Sequence, residues 1–566
     1  MDPSGARKYV YEPLSYDSEQ CRPIRLVRVL PGKPDTPICC ELFNSHIRIV
    51  DDPQIATSKS ELFGFRLGRA PHDIAYNALS YVWGNTEDRV TIRVNGKDFS
   101  ITRNLWIFLD RHRRSFTSRW KNPQVFWIDA ICIDQGNLEE RSEQVAFMAD
   151  IYREAEMVLV WLGEGDSESH RAFEIIKSRW FNLSWAESLP ISQLPIFQTG
   201  YWDRLWIVQE IFHARRITVR CSTFEVDWER FISAFHRGPG VPPCKMDYFK
   251  TTSNGDNGYE LLCLFAGKAC LDPRDAVYAL RSLAPTLKTL VPDYSLSTAD
   301  VFTAATRASI IDPDCLNFLD ELMDNKFGDP SIARIPGLPS WVPDWTMGYM
   351  DYPPKLPGIR SYNSGGSGSF KKQAYLLTHP NPRILLLEGI PVDTVAHATE
   401  PYIWRNEEYT SVENAMKLLQ DWLPGCETSF RKLWDLKLSY GGRPMRLTFD
   451  GLLEECARQR GLDIPMPVSE TELRWHKWEP MSELAGNAIV ITKNGYRGFV
   501  FGTPKVNDLV FVAYGARYPY VLRQADGNEN ECFSLVGNAL IKTLMCGEAI
   551  GLCRVGKLTE RVISLV

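Results

Sequence analysis

Ala78-Leu79-Ser80-Tyr81-Val82-Trp83-Gly84, residues 78–84, opens the part of the chain that decides the fold. The first five residues form a short apolar run, and tryptophan and glycine follow it, as they would where a buried strand ends in a turn. Further short apolar runs lie at 125–128, 157–162 and 217–220, separated by longer amphipathic segments. Short strands that alternate with helices are typical of a mainly parallel sheet with helices on both faces. The sequence therefore predicts an α/β fold for this region.

Two helices and one hairpin are predicted between these strands. Residues 138–155 repeat apolar side chains at three- and four-residue spacing, which gives one apolar stripe. Asn137 and Glu140 are spaced as a capping pair at the start of that helix. A second helix is predicted from 203 to 214. The Asn95-Gly96 pair, flanked by two short runs of alternating residues, predicts a tight hairpin turn.

The bulk composition excludes several classes of function. The 566 residues are 44% hydrophobic and 24% charged, which is an ordinary globular balance. A formal net charge of -6 gives no general attraction to nucleic acid, so no nucleic-acid partner is expected. No apolar run approaches the roughly 20 residues that span a bilayer, and residues 1–5 carry no signal peptide. We therefore expect a cytoplasmic protein without a membrane span.

The cysteine, histidine and glycine patterns predict neither a metal site nor a bound cofactor. The 14 cysteines are scattered singly apart from Cys39-Cys40, and no CxxC motif occurs. The nine histidines do not fall in HxxxH or HExxH spacing. The phosphate-binding motif GxxxxGK[ST], the hydrolase motif GxSxG and a GxGxxG after a strand are also missing from the sequence.

The pattern changes again towards the end of the chain. Short strands are predicted at 489–492, 498–501, 508–513, 520–523 and 533–536, with Asn494-Gly495 and Asp526-Gly527 as hairpin turns. We predict five regions: an N-terminal extension with short strands at 1–75, an α/β domain at 76–225, a mostly helical connecting region at 226–360, a mixed region at 361–480 that begins with a Gly/Ser loop (365–369), and a β-rich region at 481–566. The last region is expected to form a small antiparallel sheet or barrel.

Three blocks in the α/β domain combine tryptophan, carboxylates and glycine at strand ends. They lie at 76–84, at 127–135 (Trp-Ile-Asp-Ala-Ile-Cys-Ile-Asp-Gln) and at 201–210 (Tyr-Trp-Asp-Arg-Leu-Trp-Ile-Val-Gln-Glu). In order and spacing they resemble the signature blocks of the HET domain of fungal heterokaryon incompatibility proteins. The similarity extends to 272–280, 291–294, 338–345 and 535–549, so it covers nearly the whole chain. Asp134 departs from the family pattern, which usually has Asn there, and adds a charge beside Asp129.

HET domains are regarded as remote relatives of TIR domains, and two features of this chain look like TIR features. Residues 78–81 are similar to the first TIR strand, and Glu210 follows Trp206 by four residues, as in TIR enzymes. The resemblance implies a TIR-like (flavodoxin-like) sheet and an effector of nonself recognition and programmed cell death. Because TIR enzymes cleave NAD at the nicotinamide–ribose bond, NAD+ is implied as a substrate. The resemblance also implies self-association through the HET domain and a NOD-like receptor or other incompatibility partner.

Glu210 is the candidate catalytic residue. Four side chains are predicted to share one helix face: Asp203, Trp206, Glu210 and His213. The Trp206 indole offers a stacking surface for a nucleoside and is a candidate ligand-binding residue. Glu210 could accept hydrogen bonds from ribose hydroxyls and stabilise an oxocarbenium-like transition state. The structural alternative is a glutamate that pairs with Arg204 or Arg215 or that caps a neighbouring loop.

Further candidate ligand-binding residues lie at strand ends and at the following helix: Ser80, Trp83, Asp129, Gln135 and Arg141. Asp129 follows the strand at 125–128, and ligands of open α/β sheets gather beyond the carboxyl ends of the strands. Asp129 and Asp134 either form an acidic pocket or hold the loop by accepting backbone N–H bonds. Trp83 is either core or ligand platform. Arg141 either binds a phosphate at the helix N-terminus or pairs with a carboxylate such as Asp129.

Two other functions stay open on the sequence alone. One is a non-enzymatic adaptor, in which the same blocks are structural and a tryptophan-rich surface binds a partner. The other is a HET-fold enzyme that acts on a small metabolite in fungal secondary metabolism, which would need a closed, aromatic-lined pocket. The enzymatic hypothesis requires that Asp129 and Glu210 converge on a single hollow.

Overall fold

The chain forms two compact units, Met1–Ser309 and Ile310–Val566. The computed structural model describes residues 8–14, 21–48, 74–114, 125–177, 200–236, 258–310, 316, 318–319, 334–347, 379–398, 487–525, 532–541, 544–545 and 547–566. The predicted Gly/Ser loop at 365–369 and the turn at 526–527 lie outside the described residues. No helix in the described part of the chain combines the length and apolarity needed to cross a membrane.

The first unit alternates strands and helices, as predicted. Its described elements are β1 (Cys21–Val29), β2 (Cys39–Arg48), β3 (Asn77–Tyr81), β4 (Arg89–Val94), β5 (Lys97–Thr102), α1 (Arg103–Arg114), β6 (Val125–Trp127), α2 (Asp129–Cys132), α3 (Leu138–Ala146), α4 (Met148–Glu154), β7 (Met157–Trp161), α5 (Ser167–Lys177), α6 (Ile207–His213), β8 (Ile217–Cys221), β9 (Phe224–Asp227), α7 (Trp228–His236), α8 (Gly258–Phe265), α9 (Asp275–Tyr278), a 3-10 turn at Arg281–Leu283, α10 (Pro285–Lys288) and α11 (Thr298–Ser309).

These strands form one nine-stranded sheet in the order β5-β4-β2-β1-β6-β3-β7-β8-β9. The four strands β6-β3-β7-β8 run parallel to one another, and β2 pairs in parallel with β4, whereas the pairs β1–β2, β1–β6, β4–β5 and β8–β9 are antiparallel. The sheet is therefore mixed, and the predicted mainly parallel arrangement is correct for its central strands but not for the whole sheet. Connection length explains the pairs β4–β5 and β8–β9, because strands joined by a two-residue turn must pair antiparallel.

The N-terminal strands are part of this sheet. Strand β1 lies between β2 and β6, and the hairpin β4–β5 reaches the remaining strands only through β2 and β1. Ile24, Leu26, Val27 and Val29 of β1 are all buried. A central strand covered on both faces loses the polar alternation that marks a half-exposed strand.

The predicted helix at 138–155 is interrupted. It forms α3 and α4 with a break at Phe147, and both Phe147 and Met148 are buried at that break. The predicted cap is half confirmed: the Asn137 side chain accepts hydrogen bonds from the backbone N–H groups of Glu139 and Glu140. The Glu140 carboxylate does not return to Asn137, because it accepts from the backbone N–H of Asp134 instead.

The central strands form the core of the first unit. All five residues of β3 are buried, as are four of the five residues of β7. Trp127 and Trp161, at the carboxyl ends of β6 and β7, are fully buried. The site residues that follow these strands are therefore attached to well-packed core positions.

The second unit is β-rich. It contains β10 (Leu385–Ala398), β11 (Asn487–Thr492), β12 (Arg497–Phe501), β13 (Leu509–Ala513), β14 (Tyr520–Gln524), β15 (Cys532–Ile541), α12 (Glu548–Arg554) and β16 (Arg561–Leu565). The strand order is β11-β12-β15-β14-β13-β10-β16, and β11 also pairs with β10, so six strands form a closed circuit of pairings. The five predicted strands are confirmed with small shifts at their ends, apart from the last, which extends to Ile541. Strands β10 and β16 were not predicted.

Candidate functional site

A buried polar cluster lies where β3 meets α6. The Ser80 hydroxyl donates a short hydrogen bond to Oε2 of Glu210, and its oxygen lies 2.7 Å from the Tyr201 hydroxyl. Ser80 and Glu210 are each 1% exposed, and Tyr201 is fully buried. Since β3 is a central strand, it fixes Ser80, and Ser80 in turn orients the carboxyl group of Glu210.

The second candidate acid, Asp129, follows β6, the parallel neighbour of β3. Its Oδ2 accepts a hydrogen bond from the Trp83 indole at 2.9 Å, and its Oδ1 accepts from the backbone N–H of Ala130 at 2.7 Å. The Gln135 amide donates to the backbone carbonyl of Asp129 at 3.1 Å. The structure thus brings Trp83, Asp129 and Gln135 together at the carboxyl ends of two parallel strands. Asp129 and Trp83 are half-buried, unlike Glu210.

Arg204 contributes a positive charge near the end of β3. Its guanidinium donates a short hydrogen bond to the backbone carbonyl of Tyr81, the residue after Ser80. Burial alone would lower the pKa of Arg204, but the negative charges of Glu210 and Asp129 raise it. The guanidinium is therefore within electrostatic reach of both carboxyl groups. We call Ser80, Asp129, Arg204 and Glu210 the two-acid cluster.

Burial determines the protonation of both acids. Removal from water raises the pKa of Glu210 from 4.5 to about 7, although Arg204 and the Ser80 hydroxyl favour the charged form. Burial also raises the pKa of Asp129, against the opposing effects of Arg204, the Trp83 indole and the Ala130 amide. A carboxyl group with a pKa near neutrality exchanges its proton readily at cellular pH, which is a common property of functional carboxyls.

The predicted helix at 203–214 begins at Ile207, so Asp203 lies before it. Trp206 and Glu210 have different partners. The Trp206 indole donates to Oδ2 of Asp275 at 3.1 Å, and the Tyr294 hydroxyl donates to Oδ1 of the same residue at 2.5 Å. Trp206 is therefore held by the segment that follows the sheet rather than directed at Ser80.

Arg141 and Asp134 lie outside the two-acid cluster. Arg141 does not pair with Asp129: its guanidinium lies 3.7 Å from Oδ2 of Asp272 and 4.1 Å from the centre of the Tyr294 ring. The Asp134 carboxylate accepts the backbone N–H of Gly136 at 3.1 Å, as the loop-holding alternative predicts. The prediction that Asp134 holds the loop is confirmed.

A buried ion pair supports the loop that carries Asp129. Both guanidinium Nη atoms of Arg25 contact the Glu140 carboxylate, at 2.5 and 3.0 Å, and Nη1 also donates to the backbone carbonyl of Cys132. The Tyr11 hydroxyl donates to the carbonyl of Ile131 at 2.9 Å. The N-terminal segment therefore positions a loop that lies more than 100 residues further along the chain.

The sequence predicted Ser80, Asp129 and Glu210 as candidate site residues, but it did not predict all the residues that lie beside them in the structure. Arg204 was considered only as a structural partner of Glu210, and Arg215, the other suggested partner, pairs with Glu154 at 2.7 Å. Tyr201 and Asp275 were not singled out. Tyr201 begins the third tryptophan-rich block, and that position was the only local signal for it.

Two family models match parts of this chain. Residues 76–210 match the family described as heterokaryon incompatibility protein (HET), and residues 446–554 match the Het-6 beta-barrel domain. The chain is 25% identical to heterokaryon incompatibility protein 6, OR allele, of Neurospora crassa, in an alignment that covers 84% of this chain and 90% of that protein. These matches support a heterokaryon incompatibility protein.

A second relative shares a shorter segment. The vegetative incompatibility protein HET-E-1 of Podospora anserina is 29% identical over 120 residues, which cover 19% of this chain and only 8% of that protein. No solved structure matches the chain. Together the family matches and these relatives support a fungal origin and a role in heterokaryon incompatibility.

Proposed function

We propose that the first unit is the effector part of an incompatibility protein and that it hydrolyses NAD+ at the nicotinamide–ribose bond. Glu210 is the catalytic carboxylate. The observation that carries the proposal is the buried carboxyl of Glu210, held by Ser80 and accompanied by Asp129 and Arg204 beyond the carboxyl end of β3.

Cleavage of the nicotinamide–ribose bond requires mainly that the protein hold a negative charge next to the ribose. As the bond between ribose C1′ and the nicotinamide nitrogen breaks, the electron pair leaves with nicotinamide and positive charge develops on the ribose. The ionised Glu210 stabilises that charge, most strongly in a site from which water is largely excluded. Water then adds to C1′ and releases one proton, so the products are nicotinamide, ADP-ribose and H+. Asp129 and Trp83, which are partly accessible, would contact the ribose and the nicotinamide ring of NAD+.

Two further features support a TIR-like mechanism. The central strands β6-β3-β7-β8 are parallel. Along the chain, β6 is added on one side of β3 and β7 and β8 are then added on the other side, an order found in doubly wound sheets. The site residues Ser80 and Asp129 lie at or beyond the carboxyl ends of two of these strands, where such sheets bind ligands. We further propose that the protein acts in the cytoplasm, that it causes cell death and that self-association or an incompatibility partner such as a NOD-like receptor activates it.

The direct test compares NAD+ turnover of the full chain with that of Glu210→Gln, which keeps the size of the side chain and removes its charge. We expect at least a hundredfold loss in Glu210→Gln, about the loss observed when one transition-state-stabilising group is removed. Glu154→Gln is the control, since Glu154 pairs with Arg215 at the surface, and it should retain wild-type turnover. Equal turnover in wild type and Glu210→Gln would remove the catalytic assignment.

A non-enzymatic adaptor is the second candidate, and one observation favours it. Glu210 is 1% exposed, and its bond to Ser80 already provides the partner that a purely structural carboxyl needs. Expression of both forms in a fungal host distinguishes the two. An effector that depends on NAD+ hydrolysis loses its toxicity in Glu210→Gln, whereas an adaptor that keeps its fold remains toxic.

A further inference from the structure

Asp275 is a buried acid that lies outside the matched HET region, residues 76–210. It is 4% exposed, and both of its carboxyl oxygens accept a hydrogen bond. Oδ1 accepts from the Tyr294 hydroxyl at 2.5 Å, and Oδ2 accepts from the Trp206 indole at 3.1 Å. A buried carboxyl group needs such donors, because it has lost its contacts with water. One of the two donors belongs to the matched region and lies directly before α6.

Trp206 connects Asp275 to Glu210 through its own backbone. Its indole is held by Asp275, and its carbonyl accepts the backbone N–H of Glu210 at 3.2 Å, in the first turn of α6. The Trp206 ring is half-buried and packs against the core of the first unit. A displacement of Trp206 therefore displaces the backbone of Glu210 as well.

The segment around Asp275 holds the loop before α6 and the helix itself at two further places. The N–H of Ala269 donates to the carbonyl of Asp203 at 2.7 Å, and the carbonyl of Ala269 accepts from the N–H of Leu205 at 3.0 Å. On α6, Oε1 of Gln209 accepts from the Ser282 hydroxyl at 2.9 Å. Asp275 thus provides the middle one of three attachments.

We call residues 268–282 the clasp. The clasp also contacts α3, the helix that follows the Asp129 loop. The guanidinium of Arg141 lies 3.7 Å from Oδ2 of Asp272, and Arg281 donates to the carbonyl of Ala146 at 2.6 Å. The clasp therefore joins the helix that carries Glu210 to the helix that follows the other candidate acid.

We propose that Asp275 is a positioning residue for Glu210, which it holds in place through Trp206 and the first turn of α6. This inference rests on the proposed role of Glu210 and adds a requirement for a residue outside the matched HET region. A shift of about 1 Å in a reacting group can cost as much as about a hundredfold in rate, so the attachment of α6 matters for turnover. Trp206 then transmits a position instead of stacking on a nucleoside.

Two other roles for these residues give different results. If Trp206 stacks on the ligand, its replacement weakens binding and raises KM. If Asp275 stabilises only its own segment, its replacement lowers stability to the same extent as the loss of any comparable buried hydrogen bond of the clasp. A positioning role instead lowers kcat at nearly constant KM and loosens α6.

The experiment uses six forms of the full chain: the wild type, Asp275→Ala, Asp275→Asn, Trp206→Phe, the double variant Asp275→Ala/Trp206→Phe, and Tyr278→Phe. Ala removes both acceptor oxygens, whereas Asn keeps one of them for the indole. Phe at 206 keeps an aromatic ring and removes the indole N–H. Tyr278→Phe is the matched control, since it removes a buried hydroxyl of the clasp that bonds to the backbone of Asp293.

For each form we measure kcat and KM for NAD+ and the hydrogen exchange of the α6 amides. We expect Asp275→Ala to lower kcat about tenfold, with KM changed less than about twofold, and to speed α6 exchange about fivefold or more. Trp206→Phe should give the same changes, and the double variant should lose no more, because the two residues act through one contact. Asp275→Asn should keep kcat within about threefold of the wild type, and Tyr278→Phe within about twofold.

An equal kcat loss in Tyr278→Phe, additive losses in the double variant or a change confined to KM overturns the positioning role. If Asp275→Ala does not fold, Trp206→Phe decides, because it removes the same bond from the other side. Hydrogen exchange separates the two proposals in a wild type that does not hydrolyse NAD+. Faster α6 exchange in Asp275→Ala and Trp206→Phe but not in Tyr278→Phe then keeps the positioning role and removes the enzyme, whereas unchanged exchange removes both.

Discussion

Ser80 and Glu210 are separated by 130 residues in the chain, yet the serine hydroxyl donates directly to the glutamate carboxyl. The bond connects the most buried strand of the sheet to a seven-residue helix, and both partners are 1% exposed. It directs Oε2 of Glu210 towards the Ser80 hydroxyl and so restricts the orientation of the carboxyl group. If Glu210 acts as proposed, stability and NAD+ hydrolysis depend on the same contact.

Replacement of Ser80 by Ala should lower the free energy of unfolding by about 1–3 kcal/mol, because a buried carboxyl oxygen loses its donor. Urea unfolding followed by tryptophan fluorescence measures the change. Ser142→Ala is the control, since that exposed hydroxyl only donates to the carbonyl of Leu138, and it should change stability by less than about 0.5 kcal/mol. Equal stabilities for the two variants would show that the Ser80 bond contributes nothing.

The pKa of Glu210 predicts a specific dependence of stability on pH. The unfolded chain releases this proton near pH 4.5, whereas the folded protein holds it until about pH 7. The contribution of Glu210 is therefore fully present below pH 4.5 and is lost as the pH rises to about 7, by up to about 3 kcal/mol. Glu210→Gln should lack this loss.

The difference in unfolding free energy between wild type and Glu210→Gln, measured from pH 4 to pH 8, isolates the effect. The difference is necessary because burial also raises the pKa of Asp275, to about 6, which adds a similar trend to both proteins. A difference that does not vary with pH would mean that Glu210 keeps an ordinary pKa in the folded protein.

Arg25 and Arg28, two of the three arginines of β1, allow the buried ion pair to be compared with an exposed one. Arg25→Met leaves the Glu140 carboxylate buried without its partner and should cost about 3–5 kcal/mol. Arg28→Met removes an exposed pair with Glu41 from the same strand and should cost less than about 1 kcal/mol. Thermal unfolding of both variants checks the contrast, and similar melting temperatures would contradict it.

The matched HET region should not fold by itself. A fragment of residues 76–210 lacks β1 and β2, so its hairpin β4–β5 loses the strands that join it to the sheet, and β6 becomes an unpaired edge. It also lacks β8. We expect no cooperative thermal transition by circular dichroism, whereas residues 1–309, which form a compact unit, should unfold cooperatively. A sharp transition in the shorter fragment would disprove this requirement.

Local patterns predicted most of the elements around the site. The Asn95-Gly96 turn is confirmed, with φ of 50° and 75° at its two residues, because the turn depends on those residues alone. The central strands were also predicted, since short apolar runs between helices are a local signal. The break at Phe147 and the insertion of β1 beside β6 escaped prediction, because both depend on which surfaces become buried after the sheet assembles.

By itself, the sequence determined which side chains could carry the chemistry: Ser80, Asp129 and Glu210 stand in blocks whose order and strand-end positions can be recognised. Only the tertiary structure decided that Arg204 donates to the carbonyl of Tyr81, that Trp206 is held by Asp275 and that Arg141 pairs with Asp272. The physical reason is that each of these contacts joins groups from different elements, often more than 60 residues apart, and a bond of that kind leaves no period or spacing in the chain. Burial then set the protonation of Glu210, which no residue type can indicate before its surroundings are known.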